Sequence, residues 1–341
     1  MVAAFQPFDF AILPSLAFLF GIAAQFRAMG GNSLLEKILG TLEGRIGMVY
    51  AVFVVAGLFS PFILNDVVIL ILTPVIVKFA KETGADVAPL LVAEITMVNV
   101  ASSLTPLGNP QNILLWTAAG ASFAEFVSGT FVPVALSSAI VAVALFAIRK
   151  STRGHTNTTP SQISVAPAIY LVAVGVAILL SDLVGVPSVA SLAIGFALGF
   201  AFTFRSLKSV VRGFDIRSLL TLYLFVGSIA AVCIILGPVL LQYVAPVGNG
   251  TQPYSAEFFG VVSNFISNVP ATQLVLSLSH ISPAVASESA VSAGFAGNIS
   301  PLASFANILA LQIARKEGLP LKKTIALQFV VGVLSFVPAF L

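Results

Sequence analysis

The sequence predicts an all-α polytopic membrane protein built from two inverted repeats, each with a re-entrant hairpin and a broken transmembrane helix. Three observations predict it. Hydrophobic residues make up 58% of the 341 residues and charged residues 9%, against roughly 45–50% and about 25% in an average soluble domain. Four apolar stretches are interrupted by Asn, Asp, Ser and Pro, and the interruptions match in pairs across the two halves. All 16 Lys and Arg residues fall on one side of the alternating loops. Such a composition excludes a soluble globular enzyme, a disordered chain, a disulfide scaffold and a nucleic-acid binder. The net charge of +3 rests on so few charged residues that their placement matters more than their sum. One cysteine, Cys233, gives no intrachain disulfide, and two histidines, His155 and His280, are too few for a histidine metal centre.

About 20 consecutive apolar residues cross a bilayer as helix. Residues 8–26, 126–148, 165–182, 187–204, 218–244 and 324–341 meet that length. A cleavable leader is not expected, because Asp9 stands at the start of the first run and Arg27 follows it, the reverse of a signal's charge order. The other stretches are broken: 46–80 at Asn65-Asp66, 87–120 at Thr105 to Pro110, 255–281 at Ser267-Asn268-Val269-Pro270, and 285–314 at Ser300-Pro301. The pieces flanking Asn268 are only about 10 residues, or roughly 15 Å of helix. Neither crosses a core of about 30 Å, so the chain is expected to dip in and return. Non-helical backbone at that depth needs protein or a water-filled cavity around it.

An internal repeat gives the first interrupted stretch the same reading. Ser60 to Asn65 matches Ser263 to Asn268, Thr105-Pro106-Leu107 matches Ser300-Pro301-Leu302, and Asn112-Ile113-Leu114 matches Asn307-Ile308-Leu309. Asn268 follows Asn65 by 203 positions and Asn307 follows Asn112 by 195, so a short indel separates the halves. Residues 1–148 then form the first repeat: one scaffold helix, hairpin 46–80, broken helix 87–120 and helix 123–148. Residues 149–164 are a cytoplasmic linker. The second repeat, 165–341, holds three scaffold helices, hairpin 255–281, broken helix 285–314 and helix 324–341. With about eight crossings and two hairpins, loops 27–45, 78–87, 149–164, 205–217 and 315–323 share one side and hold every base. The other side carries Asp9, Glu125, Asp182, Glu257 and Glu288. The positive-inside rule makes the basic side cytoplasmic, which puts both termini outside and inverts the repeats.

Each break carries helix-start chemistry. Asn109 precedes Pro110, Ser300 precedes Pro301, and Asn268 stands two before Pro270. Asn and Ser accept hydrogen bonds from the first free N–H groups of a helix, and Pro at its first position sacrifices no bond. Asn65-Asp66 is expected to cap the returning arm of the first hairpin. Four half-helix N-termini thus point inward, each with roughly half a unit of positive charge, which suits an anion. Exposed carbonyl and side-chain oxygens at the same breaks suit a hard cation such as Na⁺. Paired interruptions in two halves mark the binding site of a transporter, whereas a lone proline break is an ordinary kink. Asp66 and Glu94 are the only acids well inside apolar segments, where ionisable groups are costly and functional by default. The blander readings are a helix cap for Asp66 and a hydrogen-bonded, protonated side chain for Glu94. His280 falls where the second hairpin exits, and Cys233 reads as packing.

These motifs resemble the ion transporter superfamily: arsenite permeases (ArsB), sodium/dicarboxylate symporters, citrate transporters, NhaD-type sodium/proton antiporters and the P protein. Leu64-Asn65-Asp66 with Leu70 to Pro74 looks like the Asn-Asp hairpin of arsenite permease relatives. Ser267-Asn268-Val269 looks like the Ser-Asn-Thr hairpin tip of dicarboxylate carriers. Thr105 to Asn112 resembles their Thr-Pro-x-Gly-Thr-Pro-Pro-Asn break. Here Val269 replaces a Thr, Asn109 replaces a Thr, and Gln111 replaces a Pro. Two scaffold helices of longer relatives are expected to be missing ahead of the first hairpin. The resemblance implies an elevator-type carrier, a homodimer in the plasma membrane among lipid, and not an enzyme. On this reading Asn65 and Asp66, with the backbone near Ser103, Thr105 and Gly108, form one cation site. Ser267 and Asn268 with Ser300 and Ser304 form its pseudo-symmetric partner. The substrate sits between them, facing Asn109, Asn112 and Asn307. The expected function is secondary transport of a di- or tricarboxylate or an inorganic oxyanion, coupled to Na⁺ or H⁺ with no other cofactor. Na⁺ is placed at Asn65, Asp66 and Asn268, with Asp66 and Glu94 as coupling carboxylates. Arsenite or antimonite efflux and Na⁺/H⁺ antiport are the alternatives within transport. A channel or an intramembrane protease is the alternative from other classes.

Overall fold

The computed structural model describes residues 12–149, 164–214, parts of 216–231, 256–278 and 281–340. Cys233, His155, His280 and most of the expected span 218–244 lie outside the described residues. Among the described residues there are fifteen α-helices and no strand. The helices are α1 (Ile12–Ala28), α2 (Gly31–Ile46), α3 (Met48–Phe59), α4 (Asn65–Thr83), α5 (Val87–Ser102), α6 (Pro110–Ala119) and α7 (Phe123–Ile148). There follow α8 (Ala166–Leu183), α9 (Ser188–Thr203), α10 (Leu207–Gly213), α11 (Ala256–Ile266), α12 (Asn268–Leu278), α13 (Pro283–Ala296), α14 (Phe305–Lys316) and α15 (Lys322–Phe336), which ends in a 3₁₀ turn, Val337–Phe340.

The packing repeats across the halves. Helix α3 lies along α5 as α11 lies along α13; α4 packs on α14 as α12 packs on α6; α7 packs on α13 as α15 packs on α5. Each hairpin thus sets its returning arm against the other half. Helices α1, α8, α9 and α10 form a separate cluster, with α1 and α8 both lying on α9. Gln25 ties it together, donating to the Phe196 carbonyl (3.0 Å) and accepting from the Tyr170 hydroxyl (2.5 Å). Contacts between this cluster and the hairpin-bearing body are sparse.

By length and composition, two described helices suffice individually to cross a membrane, Phe123–Ile148 and Lys322–Phe340. Helices α5 and α6 run in series across a break, as do α13 and α14. Helix α7 buries one stripe, Phe126, Thr130, Val134, Ser137, Val141 and Leu145. Its other faces are apolar yet open, with Phe131, Val132, Val143 and Phe146 exposed. A helix apolar all round but buried on one stripe has lipid as its other solvent.

Two ion pairs join the halves at one end of the body: Lys81 to Glu317 at 2.5 Å, and Lys323 to Asp86. Helix α5 begins at this end whereas its counterpart, α13 with α14, finishes there. The repeats are therefore inverted. One expectation needs correction. Residues 27–45, read as a loop, contain α2, bent by 67° from α1. Its Leu34, Leu35 and Leu39 are buried while Glu36, Lys37 and Arg45 are exposed. The segment is an amphipathic surface helix, too polar on average to register as an apolar run.

Candidate functional site

Each hairpin tip is bonded to the break of the broken helix in its own repeat. The Asn65 N–H donates to the Gly108 carbonyl at 2.9 Å, and the Asn268 N–H donates to the Ala303 carbonyl at 3.2 Å. Each break is folded by the same three side-chain hydrogen bonds. The hydroxyl of Thr105 accepts from the Leu107 N–H (3.1 Å) as that of Ser300 accepts from the Leu302 N–H (3.2 Å). The Asn112 amide donates to the carbonyls of Ser102 (2.9 Å) and Thr105 (2.8 Å). Asn307 does the same to Gly297 (2.6 Å) and Ser300 (3.0 Å). Backbone carbonyls freed by the missing helical turn are thus satisfied by a side chain one turn into the next helix, as burial requires. The Thr105 hydroxyl also donates to the Pro61 carbonyl, locking the first tip down.

The helix starts differ from expectation in detail. Asn109 stands at the N-cap of α6 but makes no capping bond; its amide donates to the Ser102 hydroxyl at 2.5 Å. Ser300 lies in the turn, and Ser304 takes the N-cap position of α14, because Pro301 begins a turn rather than a helix. Asn65 is the first residue of α4, and its side-chain oxygen accepts from the Asp66 N–H at 2.8 Å. Three acceptors surround the Asn268 amide and fix its nitrogen inward: Ala303 O at 3.0 Å, Ser263 Oγ at 3.2 Å and Ala293 O at 3.2 Å. Ser267 has φ 69°, the one non-glycine in the left-handed region among the described residues. Such a residue costs on the order of 1–3 kcal/mol and gathers at functional positions.

The predicted residues fall into three places. Asn65, Asp66, Thr105, Gly108, Asn109 and Asn112 meet at the first joint, and Ser267, Asn268, Ser300, Ser304 and Asn307 at the second. Ser103 belongs between them: its hydroxyl donates to the Asn99 carbonyl at 3.1 Å and lies against Gly294 of the other half. A Cβ at Gly294 would stand 1.8 Å from that hydroxyl, so glycine lets the broken helices touch. Glu94 is apart. It lies eight residues before Ser102, about 12 Å along α5, is fully buried, and accepts from the Thr73 hydroxyl at 2.8 Å. Thr73 adjoins Pro74, which lines a cavity of about 470 Å³ between α4 and α14 at the ion-paired end.

Two buried residues that the sequence reading passed over join the joints, Asn99 and Asn298. The Asn99 amide donates to the side-chain oxygens of Asn298 (3.0 Å) and Asn307 (2.8 Å), and its oxygen accepts from the Ser304 hydroxyl (3.0 Å). Asn298 donates to the Thr96 carbonyl (3.2 Å) and the Ser335 hydroxyl (3.0 Å). An Asn inside the apolar run 87–102 was the available signal. No Lys or Arg is buried among the described residues. The N-termini of α4, α6, α12 and α14, the positive ends of their helix dipoles, lie at these joints.

The comparisons with known proteins agree with this architecture. The chain aligns with the citrate transporter family over residues 1–310. It is 42% identical over 73 residues to the inner membrane protein YbiR of Escherichia coli K12, covering 21% of this chain and 20% of that one. It is 33% identical over 125 residues to a silicon efflux transporter of Oryza sativa subsp. japonica, covering 34% and 25%. A fuller match, 26% over 301 residues, is to an uncharacterized transporter of Mycobacterium tuberculosis H37Rv, covering 78% and 69%. The chain thus spans about a fifth to a quarter of the first two relatives and two thirds of the third. Among solved structures, the YdaH transporter of Alcanivorax borkumensis superposes with a TM-score of 0.60 at 18% identity, over 97% of this chain and 84% of that one. That likeness concerns the fold alone. With its lipid-facing apolar helices, this chain is a multi-pass membrane protein that belongs to the citrate transporter (CitMHS) family.

Proposed function

We propose that the protein is a secondary active transporter of a small anion, coupled to Na⁺ or H⁺. The observation that carries this reading is the pair of tip-on-break joints, each a backbone bond from a hairpin Asn to a broken helix. Two inverted joints let one central site be approached from either side in turn. The anion sits between them at the half-helix N-termini, facing Asn109, Asn112 and Asn307. Asp66, beside the first tip, is the coupling carboxylate, and Glu94 is the second candidate. The hairpin-bearing body moves against the cluster of α1, α8, α9 and α10, an elevator motion that suits the sparse contacts between them. The protein resides as a homodimer in the plasma membrane, with both termini outside.

A second reading is efflux of a neutral oxyacid such as arsenite or silicic acid. The lack of a buried Lys or Arg at the described joints favours it, as does the relative named for silicon efflux. Counterflow in proteoliposomes tests both. Vesicles loaded with citrate, succinate, phosphate, arsenite or silicic acid are diluted into trace labelled solute of the same kind. The expected result is transient uphill accumulation of one of them. Flux that only follows the solute's own gradient identifies a channel and overturns the proposal.

A further inference from the structure

We infer that Asn99 is a positioning residue: acting through Asn298, Asn307 and Ser304, it fastens the second break to the first half of the chain, so that the first joint is the one that opens to admit solute. The fastening is a property of the fold, and only the admission of solute rests on the transporter reading. Four side-chain hydrogen bonds run between the second break and α5. The Asn99 amide donates to Asn298 Oδ1 (3.0 Å) and Asn307 Oδ1 (2.8 Å), its oxygen accepts from the Ser304 hydroxyl (3.0 Å), and the Asn298 amide donates to the Thr96 carbonyl (3.2 Å). Their direction is fixed by the backbone. Asn298 turns its N–H₂ group to the Thr96 carbonyl and Asn307 turns its own to the carbonyls of Gly297 and Ser300. Carbonyls only accept, so both side-chain oxygens are left facing Asn99, which must supply the two donors. The first break has no such ties at the matching positions. The repeat offset that pairs Asn112 with Asn307 pairs Asn99 with Gly294 and Asn298 with Ser103. Gly294 has no side chain, and the Ser103 hydroxyl is donated to the Asn99 carbonyl of its own half.

The two joints therefore open at different cost. At the first, Ser60 Oγ, Asn109 Oδ1 and Asn112 Oδ1 are buried with no hydrogen-bond partner among the described residues. Water that enters there satisfies groups that closure leaves unmet. Their counterparts in the repeat are Ser263, Ser304 and Asn307, and these are bonded. Ser263 Oγ donates to the Gly260 carbonyl at 2.7 Å and accepts from the Asn268 amide at 3.2 Å. Ser304 and Asn307 are held by Asn99. Opening the second joint has to break these bonds before water replaces them. Ser267 at the second tip agrees. A side chain kept at φ 69° persists only where its surroundings over-determine it. The segment with fewer bonds opens first. One opening element is enough where the body itself carries the site across the membrane.

Thiol labelling of matched positions on the purified full chain tests this. In a Cys233→Ser background, Ser60→Cys should react with N-ethylmaleimide at least about tenfold faster than Ser263→Cys, the factor in open population that about 1.4 kcal/mol sets. Adding Asn99→Asp, which offers at most one donor where two are needed, should speed Ser263→Cys at least about tenfold and leave Ser60→Cys unchanged. A merely structural part for Asn99 would instead loosen its own half, where α3 ends at Ser60 and packs along α5. Equal rates in the parent background, a faster Ser263→Cys, or an Asn99→Asp change that speeds both cysteines or neither would each overturn the inference. Should Asn99→Asp not fold, Ser304→Ala, which removes one of the four bonds, takes its place with the same selectivity expected. Labelling needs no solute. Equal rates thus overturn the inference and leave counterflow to judge the transporter reading; the tenfold difference without counterflow keeps the fastened break and removes its use.

Discussion

Asn307 satisfies two carbonyls of its break with one side chain, so its loss should be felt as stability before it is felt as transport. Asn307→Ala leaves buried acceptors unpaired, at about 1–3 kcal/mol for a buried group. A thermal melt of the purified protein should register that drop, and Asn307→Asp should not rescue it, because a carboxylate has no donors. Asp66 makes the opposite prediction. Asp66→Asn keeps the side-chain shape and removes the charge. The variant should melt as wild type yet lose the dependence of uptake on Na⁺ and on pH, followed over roughly pH 5.5–8.5, the range in which protein stability is usually greatest. If both profiles persist, Asp66 only complements the positive end of α4, and Glu94 with Thr73 becomes the coupling group. The sequence made Asn65, Asn112, Asn268 and Asn307 legible because each recurs in the other half. Asn99 and Asn298 were not, since their partners by the repeat are Gly294 and Ser103. A duplicated pattern reveals what both copies kept, and these two residues mark where the copies parted.

The breaks depend on close backbone approach more than on any side chain. A Cβ at Gly108 would lie 2.1 Å from the Ser102 carbonyl oxygen and 2.6 Å from its Cα. Gly108→Ala must therefore push the first break open and tilt α6, costing at least about 1–3 kcal/mol and abolishing transport. Gly175 in α8 meets nothing within 4 Å, so Gly175→Ala should be neutral or stabilising by about 0.5–1 kcal/mol. Paired melting curves of these two variants check whether the strain lies at the break. Proline and asparagine located the breaks in the sequence, but not the residue at which each helix resumes. Ser300-Pro301 has the composition of a helix start and forms a turn, with α14 resuming four residues after the proline, at Phe305. Helix α2 escaped notice for another reason. Its stripe of Leu34, Ile38 and Leu42 appears only at helical spacing, while a search for continuous apolar runs averages it with Glu36, Lys37 and Arg45.

At the scale of the whole molecule, the orientation is an expectation from charge, and the ion pairs mark the end it concerns. Lys81, Asp86, Glu317 and Lys323 all gather where the positive-inside rule puts the cytoplasm. In a Cys233→Ser background, a membrane-impermeant thiol reagent added outside should label Ala124→Cys and spare Ser209→Cys. Labelling of Ser209→Cys alone would invert the assignment. The exchange of hairpin arms between the halves also governs how the protein is made. Helix α4 finds its partner in α14, and Asn99 finds its partners at Asn298 and Asn307, some 200 residues later. At about 5–20 residues per second of synthesis, that partner arrives roughly 10–40 s after α5 has left the ribosome. Until then the first half waits in the bilayer as an unfinished guest, its polar groups exposed to whatever insertase or chaperone holds it.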